Sequence, residues 1–151
     1  MLLSATELFT LAPLGAYVVY SDGTPKPPAR FVNKMRKWEN NNSWGYFIKA
    51  ARDKHDGGPN FWLQQDHGHV IFNRHFNANT NTLKFEVTLP APGTILAYGD
   101  FGGIVEIRHV WRDLNAARTW AHGFYKFANC GLKYFLVGET GELIPDYMPA
   151  D

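Results

Sequence analysis

Apolar and polar positions along the chain change period several times, and each change predicts an element. Ser4-Ala-Thr-Glu7 has the spacing of a capping box, so a helix of about two turns should follow and stop before Pro13. Ala16 to Tyr20 is an unbroken β-forming run closed by Ser21-Asp22-Gly23, which reads as a buried strand and a turn. Thr24-Pro-Lys-Pro-Pro28 then leads into a second helix over 28–40. Its apolar positions Phe31, Met35 and Trp38 fall at i, i+4 and i+7, on one face, and Asn40-Asn41-Asn42 ends it.

Beyond Asn42 the pattern turns to period two. Trp44 to Ala50, Phe61 to Gln65, His69 to Phe76, Leu83 to Leu89, Thr94 to Tyr98 and Ile104 to Val110 read as strands, separated by Gly, Pro and Asn clusters. Leu83, Phe85, Val87 and Leu89 alternate with Lys84, Glu86 and Thr88, the mark of a half-buried strand. Gly99 to Gly103 reads as a turn. Asp113 caps a helix over 114–128 whose stripe is Leu114, Ala117, Trp120, Ala121 and Phe124. Lys133 to Val137 reads as a last strand. The prediction is a single α+β domain spanning 1–151. It holds a mostly antiparallel sheet of about six to seven strands, two main helices and a short N-terminal helix.

Composition narrows the class. The chain has 151 residues, with 45% hydrophobic and 19% charged, which describes a packed protein rather than a disordered one. One cysteine, Cys130, excludes an internal disulfide and fits a cytoplasmic setting. The first 14 residues lack a basic start and a long apolar run, so no signal peptide is expected. No stretch reaches the roughly 20 apolar residues a membrane span needs, and no membrane partner is expected. Most of the 15% aromatic share is expected in the core, with Phe31, Trp38, Phe85, Trp120, Phe124 and Phe135 among the predicted inward positions. Trp44, Tyr46, Phe61 and Trp62, beside loops, are candidates for an exposed ring surface.

Charge changes the picture more. The total is only +1, yet residues 24–54 hold eight cations against Glu39 and Asp53, a net +6, leaving −5 on the remainder. Arg30, Lys34 and Lys37 recur at i, i+4 and i+7 and so share one side of the expected helix. Cations fixed on one face, with an apolar face packed behind, suit a phosphate backbone or an acidic protein surface. Trp44 and Tyr46 follow closely and offer rings for base stacking. The candidate binding residues are therefore Lys26, Arg30, Lys34, Arg36, Lys37, Trp44, Tyr46, Lys49, Arg52 and Trp62.

The remaining chemistry is sparser. Asp66-His67-Gly68-His69 places a carboxylate and two imidazoles together, with His75 further on, and a small metal site is one reading. The same run between two alternating segments is also an ordinary hairpin turn, with Gly68 at the positive-φ position. Gly99-Asp-Phe-Gly-Gly103 stands without any accompanying phosphate-loop or kinase motif. Walker, nucleophile-elbow and His-Glu-x-x-His patterns are missing. The expectation is a non-catalytic binding or inhibitory protein that contacts nucleic acid or an acidic protein surface and uses no cofactor. The alternatives are a small metal-dependent hydrolase or nuclease at Asp66, His67, His69 and His75, and an assembly subunit sealing a homo-oligomer through Trp44 and Trp62.

Overall fold

The computed structural model describes residues 2–67, 70–124 and 132–149, with side chains omitted over 120–124. The chain divides into two compact units, 1–88 and 89–151, each with its own sheet.

In the first unit, Ser4 caps helix α1 (Ala5–Leu11). Its hydroxyl accepts from the Glu7 N–H, and the Glu7 carboxylate accepts from the Ser4 N–H, which completes the capping box. Six strands follow from the alternating runs: β1 (Leu2–Leu3), β2 (Tyr17–Ser21), β3 (Ser43–Arg52), β4 (Pro59–Asp66), β5 (Ile71–Asn77) and β6 (Lys84–Thr88). They form one antiparallel sheet in the order β1-β6-β2-β3-β4-β5. One face carries the core: Val18, Tyr20, Phe47, Phe61, Leu63, Phe76 and Phe85, joined by Ala5 and Leu8 of α1. Phe61 is the hub. Its ring stacks on Phe76 at 4.9 Å and meets the edge of Phe85 at 5.5 Å. Phe61, expected as a surface ring, is therefore fully buried, because the β3–β4 register sets it opposite Ala50 on the inner face.

Two local features control that register. A bulge between Phe47 and Lys49 inserts Ile48, so Lys49 pairs with Trp62 and Ala50 with Phe61. Without it, the period of two would carry Lys49 to the inner face with Phe47; the extra residue turns it outward. Gly45 allows β3 and β4 to approach closely, since a Cβ there would sit 2.8 Å from the Leu63 Cβ.

Helix α2 (Val32–Asn41) differs from the expected 28–40. A residue that precedes a proline is steered away from helical ψ, and Pro27-Pro28 supplies no N–H, so the chain stays extended until the Phe31 N–H closes a turn onto the Pro28 carbonyl. The helix buries no residue. Phe31, expected inside, is 39% exposed, and Met35 and Trp38 are only half-buried. Polar ties hold α2 instead. The Trp38 indole N–H donates to the Thr24 carbonyl at 3.0 Å, and Arg74 donates to the Asn40 carbonyl. Asn42 donates to the Asp22 carboxylate (3.0 Å) and the Trp38 carbonyl (2.8 Å), while its amide oxygen accepts from the Ser21 hydroxyl and the Asp22 N–H.

The second unit pairs β7 (Ile95–Phe101), β8 (Ile104–Trp111), β9 (Lys133–Val137) and β10 (Leu143–Ile144) in the order β10-β9-β7-β8, all antiparallel. The described residues thus hold two antiparallel sheets, of six and four strands, in place of one sheet of six to seven. The expected turn 99–103 shrinks to Gly102-Gly103, both at positive φ, because β7 runs on to Phe101. Asp113 caps α3 (Leu114–Phe124) by accepting from the Ala116 N–H at 2.8 Å. The last part of the expected helix 114–128, and the Trp120 and Phe124 side chains, lie outside what is described. Ile95, Ala97, Trp111, Ala117 and Tyr134 form the second core. Phe135, expected inward, is half-buried and stacked on Tyr98 at 4.0 Å, because alternation along β9 gives the core position to Tyr134. Leu89 lies past the end of β6 and is exposed.

Candidate binding surface

The proline-rich approach to α2 and the helix itself gather Lys26, Arg30, Lys34, Arg36 and Lys37, all exposed. Arg30 precedes the helix, so the expected i, i+4, i+7 row is not wholly helical. The Phe31 ring draws Arg30 and Lys34 together all the same: the guanidinium lies 4.7 Å and the ammonium 5.0 Å from its centroid. Lys26 stands 5.8 Å from the Trp38 ring. Among the described residues, no carboxylate lies within ion-pair distance of any of these five cations. An exposed cation over a ring gains about 0.5–1 kcal/mol, enough to bias its placement while leaving its charge available.

The other candidate residues fall elsewhere on the same sheet. Trp44 and Tyr46 alternate on β3 with Gly45 and Phe47, which puts them on the face opposite the core. There Tyr17 stacks on Trp44 at 5.7 Å and meets Tyr46 edge-on at 5.6 Å. Burial pushes the Tyr46 phenol up, with smaller contributions from Tyr17 and the Asp66 carboxylate. Trp62 shares that outer face, between the Lys49 ammonium at 4.7 Å and the His75 ring at 4.9 Å. Arg52 lies over Phe9 and donates to the Gly57 carbonyl. The structure therefore resolves the expected single patch into one exposed basic surface on α2 and separate cation–ring pairs on the sheet. Trp44, Tyr46 and Trp62 are half-buried against neighbours rather than freely exposed.

Of the histidines in the candidate metal set, His67 and His75 are not brought together. His67 flanks the hairpin turn, where its N–H donates to the Val70 carbonyl and its ring lies against Phe72 and Trp44. His75 sits at the far end of β5, opposite Trp62, with its Nε2 2.7 Å from the Asn60 amide oxygen. His69 and Gly68 lie outside the described residues. Among the described residues, no group of three or more His, Cys, Asp or Glu side chains is placed to hold a metal.

One recess escaped the sequence reading. Next to the C-terminal end of α2 lies a groove of about 510 Å3, lined by Tyr20 of β2, Ser43 and Trp44 of β3, Leu63 and Gln65 of β4, and Phe72 and Arg74 of β5. Glu39 and Asn40 form the α2 side. The available signal was Arg74 itself. It stands between Phe72 and Phe76 in an alternating strand, a charge at a core-facing position.

The chain belongs to the family described as Uncharacterised conserved protein UCP036055, whose model matches residues 3–131. No curated protein and no solved structure matches it.

Proposed function

We propose that this member of the family is a non-catalytic protein that binds single-stranded nucleic acid through α2 and the proline-rich segment before it. The observation that carries the reading is the surface of α2 and the segment before it: five exposed cations, three of them on a helix that buries nothing, with no carboxylate among the described residues in ion-pair distance and with Phe31 and Trp38 set among them. Cations alone would serve any acidic surface. Rings interleaved with cations favour nucleic acid, because bases stack on the rings while phosphates meet the ammonium and guanidinium groups. An exposed ring favours a single strand, whose bases are open, over a paired duplex.

The test is fluorescence anisotropy with a labelled 15-nucleotide single strand. Lys34→Glu with Lys37→Glu should abolish binding while circular dichroism stays unchanged, since neither side chain is buried. Phe31→Ala should weaken binding and spare the fold, at about 1–3 kcal/mol for one stacked base. Normal binding by the double variant would refute the assignment. Equal affinity for a polyglutamate of matched length would point to an acidic protein surface instead.

A further inference from the structure

We propose that the groove between the end of α2 and strands β3, β4 and β5 is a binding site for a small monocarboxylate with a flat apolar body. The inference is independent of the nucleic-acid reading, because none of Lys26, Arg30, Lys34, Arg36 and Lys37 lines this groove. Its central group is the Arg74 guanidinium. The alternation Phe72, Arg74, Phe76 directs this side chain to the inner face of β5, where the core ends. There it lies 5.2 Å from the Tyr20 centroid and 4.7 Å from that of Phe76. One terminal nitrogen, Nη1, donates to the Tyr20 hydroxyl and to the Asn40 carbonyl. Among the described residues, no acceptor meets the N–H groups on Nε or on the other terminal nitrogen, and no carboxylate lies within ion-pair distance. Those N–H groups form the edge of the guanidinium that receives a carboxylate with two parallel hydrogen bonds.

A half-buried guanidinium held by two neutral oxygens has lost part of its hydration without gaining an anion, so a bound anion is the missing partner. The polar lining beside it is already ordered. The Gln65 amide nitrogen donates to the Ser43 hydroxyl and the Trp44 carbonyl, both at 2.7 Å, and its oxygen lies 3.1 Å from Nε2 of His67. Phe72, 57% exposed, offers a ring for the apolar body, and buried Leu63 adds apolar lining. The volume of about 510 Å3 is in the range of small-molecule sites. Glu39 on the α2 side decides between anions: its negative charge opposes a dianion or a phosphate chain more than a single carboxylate.

The experiment is isothermal titration of the full chain with phenylacetate, 2-phenylethanol and phenyl phosphate. Phenylacetate should bind saturably, and the other two about tenfold more weakly or worse, one for want of the charge and the other for its excess. Arg74→Lys keeps the charge but loses the fork and should cost about tenfold. Phe72→Ala, at an exposed position, tests the site without endangering the fold and should weaken phenylacetate severalfold while leaving the melting curve in place. Failure of phenylacetate to saturate the wild-type protein would overturn the proposal. So would phenyl phosphate binding as tightly as phenylacetate, or both variants binding it as the wild type does. Loss of oligonucleotide binding in the α2 double variant with phenylacetate binding intact would show the two sites to be separate.

Discussion

Asn42 is the residue on which the placement of α2 depends most. The helix buries no side chain, so hydrophobic packing contributes little to its position. Four hydrogen bonds converge on the Asn42 amide: two donated, to the Asp22 carboxylate and the Trp38 carbonyl, and two accepted, from the Ser21 hydroxyl and the Asp22 N–H. Each net hydrogen bond contributes about 0.5–1.5 kcal/mol, and at the surface water replaces part of each. Asn42→Ala should therefore cost about 2 kcal/mol, confined to α2 and the turn at Asp22. At about 1.4 kcal/mol per factor of ten, α2 amides should exchange with solvent about thirtyfold faster, while amides of β3, β4 and β6 keep their rates. Hydrogen exchange read by NMR or mass spectrometry measures both. Unchanged α2 rates would show that the polar ties do not hold the helix. An equal rise across the sheet would show that α2 and the core unfold together, against the packing described.

Further expectations concern the sheet and acid. Gly45→Ala would force a Cβ to within 2.8 Å of the Leu63 Cβ, with the Gln64 backbone at 3.3 Å. It should cost about 1–3 kcal/mol, seen as a lower urea midpoint; an unchanged midpoint would mean that β3 and β4 separate freely. Asp22 is held below its ordinary value, first by the Thr24 hydroxyl, then by the Thr24 N–H and the Asn42 amide. A folded-state value depressed in this way stabilises above the unfolded value near pH 4, and the contribution disappears as pH falls through the folded value. The stability gap between the wild type and Asp22→Asn should be full at neutral pH and shrink steadily as the pH falls from the unfolded value through the lower folded one, as read by thermal melts across the acid range. A gap independent of pH would remove Asp22 from the account.

Much of the fold was legible because the period of the side chains and the chemistry of the caps are local. Ser4-x-x-Glu7 stated α1, Asp113 stated the start of α3, and Lys133 to Val137 formed the strand it spelled. What failed depends on partners distant in the chain. The division into two sheets rests on which strand meets which, and no single strand carries that information. The Ile48 bulge broke the alternation and moved Lys49 to the ring side of Trp62. Phe31, Met35 and Trp38 had the spacing of a buried face, but three prolines delayed the helix and none of its residues became buried. The candidate site was half legible. The charge asymmetry located the α2 cations, whereas the groove required Arg74 and Asn40, 34 residues apart, to meet.

The salt dependence of oligonucleotide binding tests the central claim most directly. If Lys26, Arg30, Lys34, Arg36 and Lys37 all meet phosphates, the logarithm of the association constant should fall with the logarithm of salt at a slope of about −3.5. That is roughly a hundredfold loss of affinity between 50 and 200 mM. Replacing Lys34 and Lys37 by Gln should reduce the slope to about −2. A single strand that binds with a slope near zero, or whose slope is the same in the Gln variant, would contradict the assignment of α2 as the contact surface.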